Sequence, residues 1–337
     1  MAAHLPTAPA TRTAEATATA GIPTAVREAL ESASASQGYN TDGATLLHHN
    51  QHWVLRLPHA TPGSPVVAKV HNAKTDRLTL TRQVATANWL TDNGVGTARP
   101  AGTRWPILAG HHLVTFTYDL GPGGPASPQA LGRALAQLHA LPLPGHLNLP
   151  RLDPAANVLA RIEQLPDNLL APEEHAWLTG YVRTLGDRFD ATRWPGEPVV
   201  LHGDLAAQNT ISTGNGAVLI DWEYAGTGPA LADLAFLAWS RDAFGGNPRH
   251  YDQFSTTYGL DVTAVHGGTL YRQVLAPLRA VIGITIALEA ATRAPGWADE
   301  AAHRIACTRA QEAGHPRYPW AWSTCIAYTR PAELSPT

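Results

Sequence analysis

The segment His202–Asn209 reads HGDLAAQN and follows the apolar run Val199–Leu201. A second segment, Val218–Glu223, reads VLIDWE. Each is a short apolar strand pattern that runs into polar residues, with Asp204 in the first and Asp221 at the end of the second. Asp204 and Asn209 stand five residues apart, and Asp221 follows Asn209 by 12. A loop that folds back between Asp204 and Asn209 turns both side chains into one cleft. The interval up to Asp221 has the length of a short hairpin.

Upstream, Val66–Val70 (VVAKV) is a buried-strand pattern with a lysine set into it. Lys69 and Lys74 are the only lysines among 24 basic side chains, so a lysine where arginine prevails asks for a chemical reason. Ala44–Leu47 and His52–Leu57 read as strands, His48–Gln51 as a polar turn and the proline-rich Pro58–Pro65 as a loop. Three strands and two turns make an antiparallel meander. A short helix is expected from Pro23 to about Ser34. Another is expected over Asp76–Asn93, where Leu80, Val84, Ala87 and Leu90 recur at helical spacing before Gly94. His112–Leu120 is a further strand, and Gly121–Ser127 (GPGGPAS) breaks regular structure. Beyond it, helices are expected over Pro128–Leu141, Glu174–Asp190, Pro229–Trp239, Arg249–Tyr258, Thr269–Ala291 and Trp297–Ala313.

The expected fold class is therefore α+β, a sheet-rich lobe before a mainly helical one, and with the motifs above it resembles the bilobal arrangement of protein kinases. A sheet-rich nucleotide-binding lobe spans residues 22–120, and a mainly helical catalytic and substrate-binding lobe spans 121–326. A disordered Ala/Thr/Pro tail is expected over 1–21 and a second tail over 327–337.

The chemistry follows from the order of the parts. An aspartate in a loop of this kind orients an acceptor hydroxyl and takes its proton, and an asparagine at the loop's far end holds magnesium. A carboxylate at the next strand end chelates magnesium that bridges two phosphates, and magnesium favours one or two carboxylates completed by phosphate and water. A strand lysine neutralises phosphate oxygens. Strand lysine, helix, hinge strand, HxDxxxxN, hairpin and strand-end aspartate together are the phosphoryl-transfer kit in kinase order.

Composition removes other classes. The chain has 337 residues, 44 % hydrophobic and 15 % charged, with a net charge of −3. That balance gives no electrostatic case for nucleic acid or for a polybasic membrane anchor. No uninterrupted apolar run of about 18 residues is present, and the amino terminus has no signal-peptide core, so a soluble cytoplasmic protein is expected. Cys307 and Cys325 are too few for a disulfide framework and match no zinc spacing. The scarcity of lysine matches a GC-rich bacterial genome. Nothing in the sequence bears on oligomeric state.

These motifs resemble the aminoglycoside phosphotransferase family, the small-molecule branch of the kinase-like superfamily. HGDLAAQN resembles its catalytic loop, with Gly203 where protein kinases carry arginine. Ile220–Ala235 (IDWEYAGTGPALADLA) resembles its metal-binding segment. Ser127–Leu141 and Arg82–Val95 resemble two of its helices. The resemblance runs from about Ala44 to Trp239. It implies Asp204 as catalytic base, Asn209 and Asp221 as magnesium ligands and Lys69 as the phosphate ligand. Asp233 is implied as a support of the loop, with His202 shaping the loop. Adenine is implied to lie near Thr117–Leu120, beside Tyr118. ATP and Mg²⁺ are the implied cofactors, and a small-molecule hydroxyl is the implied acceptor.

One departure stands out. The family helix offers a glutamate to the strand lysine, and the matching residue here is Gln83, which brings no charge. The turn His48–Gln51 also lacks the glycines of a protein-kinase phosphate loop. His48, His49 and His52 read as a polar hairpin tip, with a metal site as the other reading. Glu223 is a candidate for the acceptor side, as are Asp242, Glu289, Asp299 and Glu300. Antibiotic inactivation, metabolic phosphorylation of a sugar or an amino or choline-like alcohol, and a nucleotide-binding pseudokinase all fit the residues. A protein kinase is disfavoured by HGD, by DWE in place of DFG, and by the lack of an activation loop ending in APE.

Overall fold

A computed structural model describes residues 17–18, 21–49, 51–61, 64–214, 216–294, 296–315 and 320–323. The expected tails lie outside these residues, except at 17–18 and 21, and so does Cys325. The chain divides into two compact units, Met1–Pro150 with Pro198–Gly228, and Arg151–Glu197 with Pro229–Thr337.

The first unit is built on an antiparallel sheet with strand order β1-β2-β3-β4-β6-β5. Its strands are β1 (Thr17–Ala18), β2 (Thr45–His49), β3 (Trp53–Thr61), β4 (Ser64–Val70), β5 (Ile107–Ala109) and β6 (His112–Tyr118). Leu55, Leu57, Val66, Ala68, Val70, Val114 and Phe116 form one apolar face. Helix α1 (Thr24–Ser36) covers that face with Val26, Ala29, Leu30 and Ala33, a stripe at helical spacing. Side chains alternate along a strand, so Lys69, between buried Ala68 and Val70, points to the opposite face. Its cross-strand partners are Val54 on β3 and Thr115 on β6.

Several expectations change here. The polar turn expected over His48–Gln51 is shorter, because β2 runs to His49, and the tail expected over 1–21 carries β1, which pairs with β2. Pro58–Pro65 is not a loop throughout, because β3 runs to Thr61 and β4 begins at Ser64. The register shifts between Leu57 and Thr61, which accommodates a proline without a ladder donor. Pro65 needs only its carbonyl, which accepts from the Asp119 N–H at 3.0 Å. The three-residue strand β5 is too short to leave a sequence pattern.

Helix α2 (Arg77–Asp92) begins on Asp76, whose side chain accepts from the Thr79 N–H at 2.7 Å. Helix α3 (Pro128–His139) begins on Ser127, which accepts from Ala130. The unit closes with β7 (Val199–Leu201), β8 (Thr210–Thr213), β9 (Gly216–Leu219) and β10 (Gly226–Gly228). β8 pairs with β9, and β7 with β10, both antiparallel.

The second unit is helical: α4 (Pro154–Ile162), α5 (Pro172–Ala191), α6 (Leu231–Phe244), α7 (Pro248–Tyr258), α8 (Ala276–Ala291) and α9 (Trp297–Glu312). Its core joins Val158, Leu178, Leu185, Val281, Ile284 and Ile305. Buried Arg304 ties Ser323 to it, donating to Glu300 at 2.7 Å, Gly283 O at 2.6 Å and Ser323 O at 2.8 Å. The stretch Val265–Ala291 is long and apolar enough to cross a membrane by length and composition, unlike the sequence reading, because Arg272, Arg279 and Glu289 are its only formal charges. However, 67 % of its apolar window is buried within the fold. Left-handed backbone at His266 and Gly267 and a π-turn at Tyr271–Leu275 leave only the 16 residues of α8 as regular α-helix. A membrane span needs about 20. Val265–Ala291 is a core element that happens to be apolar.

Candidate active site

Strand β7, buried at Val200 and Leu201, delivers His202 into the interior. The Nδ1 of His202 accepts the Asp204 N–H at 3.3 Å. Its Nε2 therefore carries the proton and donates to Ile220 O at 3.0 Å. The ring packs on Trp222 with centroids 4.6 Å apart. One imidazole thus links the turn bearing Asp204 to the residue preceding Asp221.

Gly203 has φ +82°, a region that side chains disfavour. A Cβ there would also meet the Tyr224 carbonyl oxygen, with the Tyr224 Cβ at 2.8 Å. Glycine is required where a protein kinase carries arginine, because the turn leaves no space for a side chain.

The loop folds back as its spacing requires. Asn209 is buried, and its Nδ2 donates to the Asp204 carboxylate at 2.8 Å and the Asp204 carbonyl at 3.0 Å. The Ile220 N–H donates to Asn209 O at 2.9 Å, bringing the second motif alongside. Asp221 follows with φ +68° and ψ +66°, left-handed backbone that aspartate tolerates better than bulkier residues. Lys69 Nζ lies 3.1 Å from Asp221 Oδ1, an ion pair spanning 152 residues of sequence.

The segment after Asp221 is anchored by Trp222, whose Nε1–H donates to Thr97 Oγ1 at 2.9 Å. The Leu219 N–H donates to Gly96 O at 2.9 Å beside it. Thr97→Val leaves a buried indole N–H without this acceptor, which typically destabilises by about 1–3 kcal/mol. The urea midpoint of that variant should fall accordingly, and an unchanged midpoint would show that the contact contributes nothing.

Lys69, Gln83, Glu223, Gln51, His52 and His71 are among the residues lining a polar cavity of about 260 Å³. Gln83 lines it without a hydrogen bond to Lys69; the lysine pairs with Asp221 instead. Glu223 lines it together with the lysine, and Asp204 is not among its walls. The Nδ1 of His52 accepts the Asn72 N–H at 3.2 Å. The rings of His52 and His71 are 4.7 Å apart, and His71 Nε2 is 3.0 Å from Thr115 Oγ1.

Burial, with the Lys69 charge adding to it, lowers His71 to about 2 and His52 to about 4, the nearby Asp221 opposing the shift at His52. Unfolded, both rings titrate near 6.5. Below that value the unfolded chain binds more protons, so stability is full above about 6.5 and falls with pH through the window down to the folded values. For His71 the slope approaches about 1.4 kcal/mol per pH unit. Unfolding midpoints at pH 7.5 and 5.0 should differ for the wild type and differ less for His71→Gln, which keeps only the His52 contribution; equal wild-type midpoints would overturn this.

At the end of β6, the Arg99 guanidinium stacks on Tyr118, 4.1 Å from the ring centre. The Tyr118 N–H donates to Arg99 O at 2.9 Å, and the Asp119 N–H is held by Pro65 O. Leu120 is left as the backbone N–H here with no partner among the described residues.

In the second unit, three of the four acidic residues considered for acceptor binding are ion-paired. Glu289 is bidentate with Arg161 at 2.7 Å, Asp242 pairs with Arg241 at 2.7 Å, and Glu300 pairs with Arg304. Among the described residues no group of three or more His, Cys, Asp or Glu side chains is placed to hold a metal. Sequence reasoning did not single out Thr97 or His71. His71 had a signal, because it lies two residues past Lys69 on the same strand face. Thr97 had none.

The sheet order, the lysine, the folded-back loop and the strand-end aspartate define a kinase-like phosphotransferase. The family model described as the phosphotransferase enzyme family matches residues 45–267, more than half of the chain, and the protein belongs to that family, a family of small-molecule kinases that act on hydroxyl groups. Among solved structures, the amicoumacin kinase hAmiN, in complex with AMP-PNP, Ca²⁺ and amicoumacin, is similar at 15 % identity and TM-score 0.64, covering 85 % of this chain and 93 % of that one. The choline kinase LicA from Streptococcus pneumoniae is similar at 16 % identity and TM-score 0.55, covering 82 % and 96 %. A spectinomycin phosphotransferase bound to ADP and spectinomycin is similar at 14 % identity and TM-score 0.55, covering 82 % and 94 %. At these identities the likeness is one of fold. No curated protein sequence matches the chain.

Proposed function

We propose that this protein transfers the γ-phosphoryl group of ATP to a hydroxyl of a small molecule. The observation that carries the reading is the convergence of Lys69, Asp221, Asn209 and Asp204 through contacts of 3.1 and 2.8 Å. Asp204 orients the acceptor hydroxyl and takes its proton. A bond forms from the acceptor oxygen to the γ-phosphorus as the bond to the β-phosphate oxygen breaks, and ADP departs with that electron pair. Lys69 neutralises charge on the phosphate oxygens.

The donor set suits magnesium. Asn209 spends its Nδ2 on Asp204, leaving Oδ1, and Asp221 adds a carboxylate; two hard oxygens completed by phosphate and water fit the ion. When bound, magnesium neutralises phosphate charge and fixes the phosphate geometry. Adenine takes the Leu120 N–H, since the preceding two amides are occupied.

Residues 22–120 bind nucleotide and residues 121–326 carry the catalytic loop and the acceptor, in a soluble cytoplasmic enzyme with no nucleic-acid or membrane partner. Antibiotic inactivation is the role we favour, because two of the similar structures carry antibiotics in their names; a choline-like or other amino alcohol is the alternative, after the choline kinase. Gln83 is the one observation that favours a nucleotide-binding protein without transfer.

The test is mass spectrometry of antibiotics, nucleosides, sugars and amino alcohols incubated with the protein and Mg·ATP, with Asp204→Ala as control. A product heavier by one phosphoryl group and absent from the control supports the reading. ATP binding with no product from any acceptor points to the non-transferring alternative.

A further inference from the structure

We propose that His52 is a phosphate-binding residue whose Nε2–H donates to a terminal phosphate oxygen of the bound nucleotide. This rests on the reading of the site as a nucleotide site. A glycine-rich loop cradles phosphates with its backbone N–H groups, which needs glycines at the turn. The turn between β2 and β3 contains none: residues 50–52 read NQH. A side-chain donor can take over that role, and the structure supplies one.

His52 ends that turn, one residue before β3, and lies two residues from Val54, the cross-strand partner of Lys69. By strand alternation it shares the Lys69 face, and both side chains line the same polar cavity. The ring state follows from its hydrogen bond. Nδ1 accepts the Asn72 N–H at 3.2 Å, so the proton of the neutral ring is on Nε2. The ring packs against His71, itself fixed by Thr115. His52 is thus an oriented, uncharged donor beside the lysine. It adds directionality to the charge that Lys69 provides.

Two variants separate this role from packing. His52→Phe keeps an aromatic ring against His71 and removes the donor. His52→Gln can place an amide N–H near the Nε2 position. Affinities for ATP, ADP and AMP would be measured by calorimetry with magnesium, alongside KM for ATP once an acceptor is known. For His52→Phe we expect ATP binding to weaken about tenfold, AMP binding to hold within about twofold, and His52→Gln to recover most of the loss. Equal weakening of AMP and ATP, or full ATP affinity in His52→Phe, would overturn the assignment while leaving the proposed function standing. Absence of ATP binding by the wild type would overturn both.

Discussion

Asp204→Asn is expected to lower kcat by about 10²–10⁴-fold, the range lost when a positioned general base is removed, with ATP affinity nearly unchanged. The substitution is nearly isosteric. Asn209 donates from Nδ2 to both the carboxylate and the carbonyl of Asp204, and an asparagine side-chain oxygen can accept the first of these bonds. The Asp204 N–H contact to His202 belongs to the backbone and is retained. The thermal midpoint should therefore move little, and the loss should appear in kcat rather than in KM for ATP. Retained turnover in the folded variant would remove Asp204 from the role of base.

Gly203→Ala is expected to damage both folding and turnover. Left-handed backbone disfavours an alanine by roughly 1–2 kcal/mol, and overpacking against fixed atoms adds about 1–3. Here the obstacle is backbone, the carbonyl oxygen of Tyr224, which cannot swing aside as a side-chain tip can. Relief requires the turn before Asp204 to move away from the segment after Asp221. We expect a loss of about 2–5 kcal/mol in urea unfolding and, in the folded fraction, a kcat at least about tenfold lower, since small misplacements of reacting groups are expensive. A variant as stable and active as the wild type would mean that the turn relaxes freely.

Much of this was legible in the residues. The strand–loop–hairpin run through Asp204, Asn209 and Asp221 is local, so spacing alone constrains where the side chains go. Lys69 was marked by its rarity and by its strand. The position of Gln83 was legible, but not the consequence. Pairing between Lys69 and Asp221 is a contact across the sequence, and no local pattern says which carboxylate the lysine will take. The Thr97–Trp222 bond escaped for the same reason. Strand β5 and helix α4 escaped because three and nine residues carry little periodicity. The loop expected at Pro58–Pro65 failed because proline excludes an N–H, not a strand, and a register shift absorbs the difference.

The scarcity of lysine has a practical consequence once the fold is known. Lys69 and Lys74 line the same cavity, and every other basic side chain is arginine. An amine-directed acylating reagent therefore finds all its lysine targets in one place, with an amino-terminal amine as the other reactive group. Peptide mapping of acylated lysines becomes a footprint of that cavity alone. Ligands that occupy it would register as protection at these two lysines, with labelling of an amino-terminal amine as the internal reference.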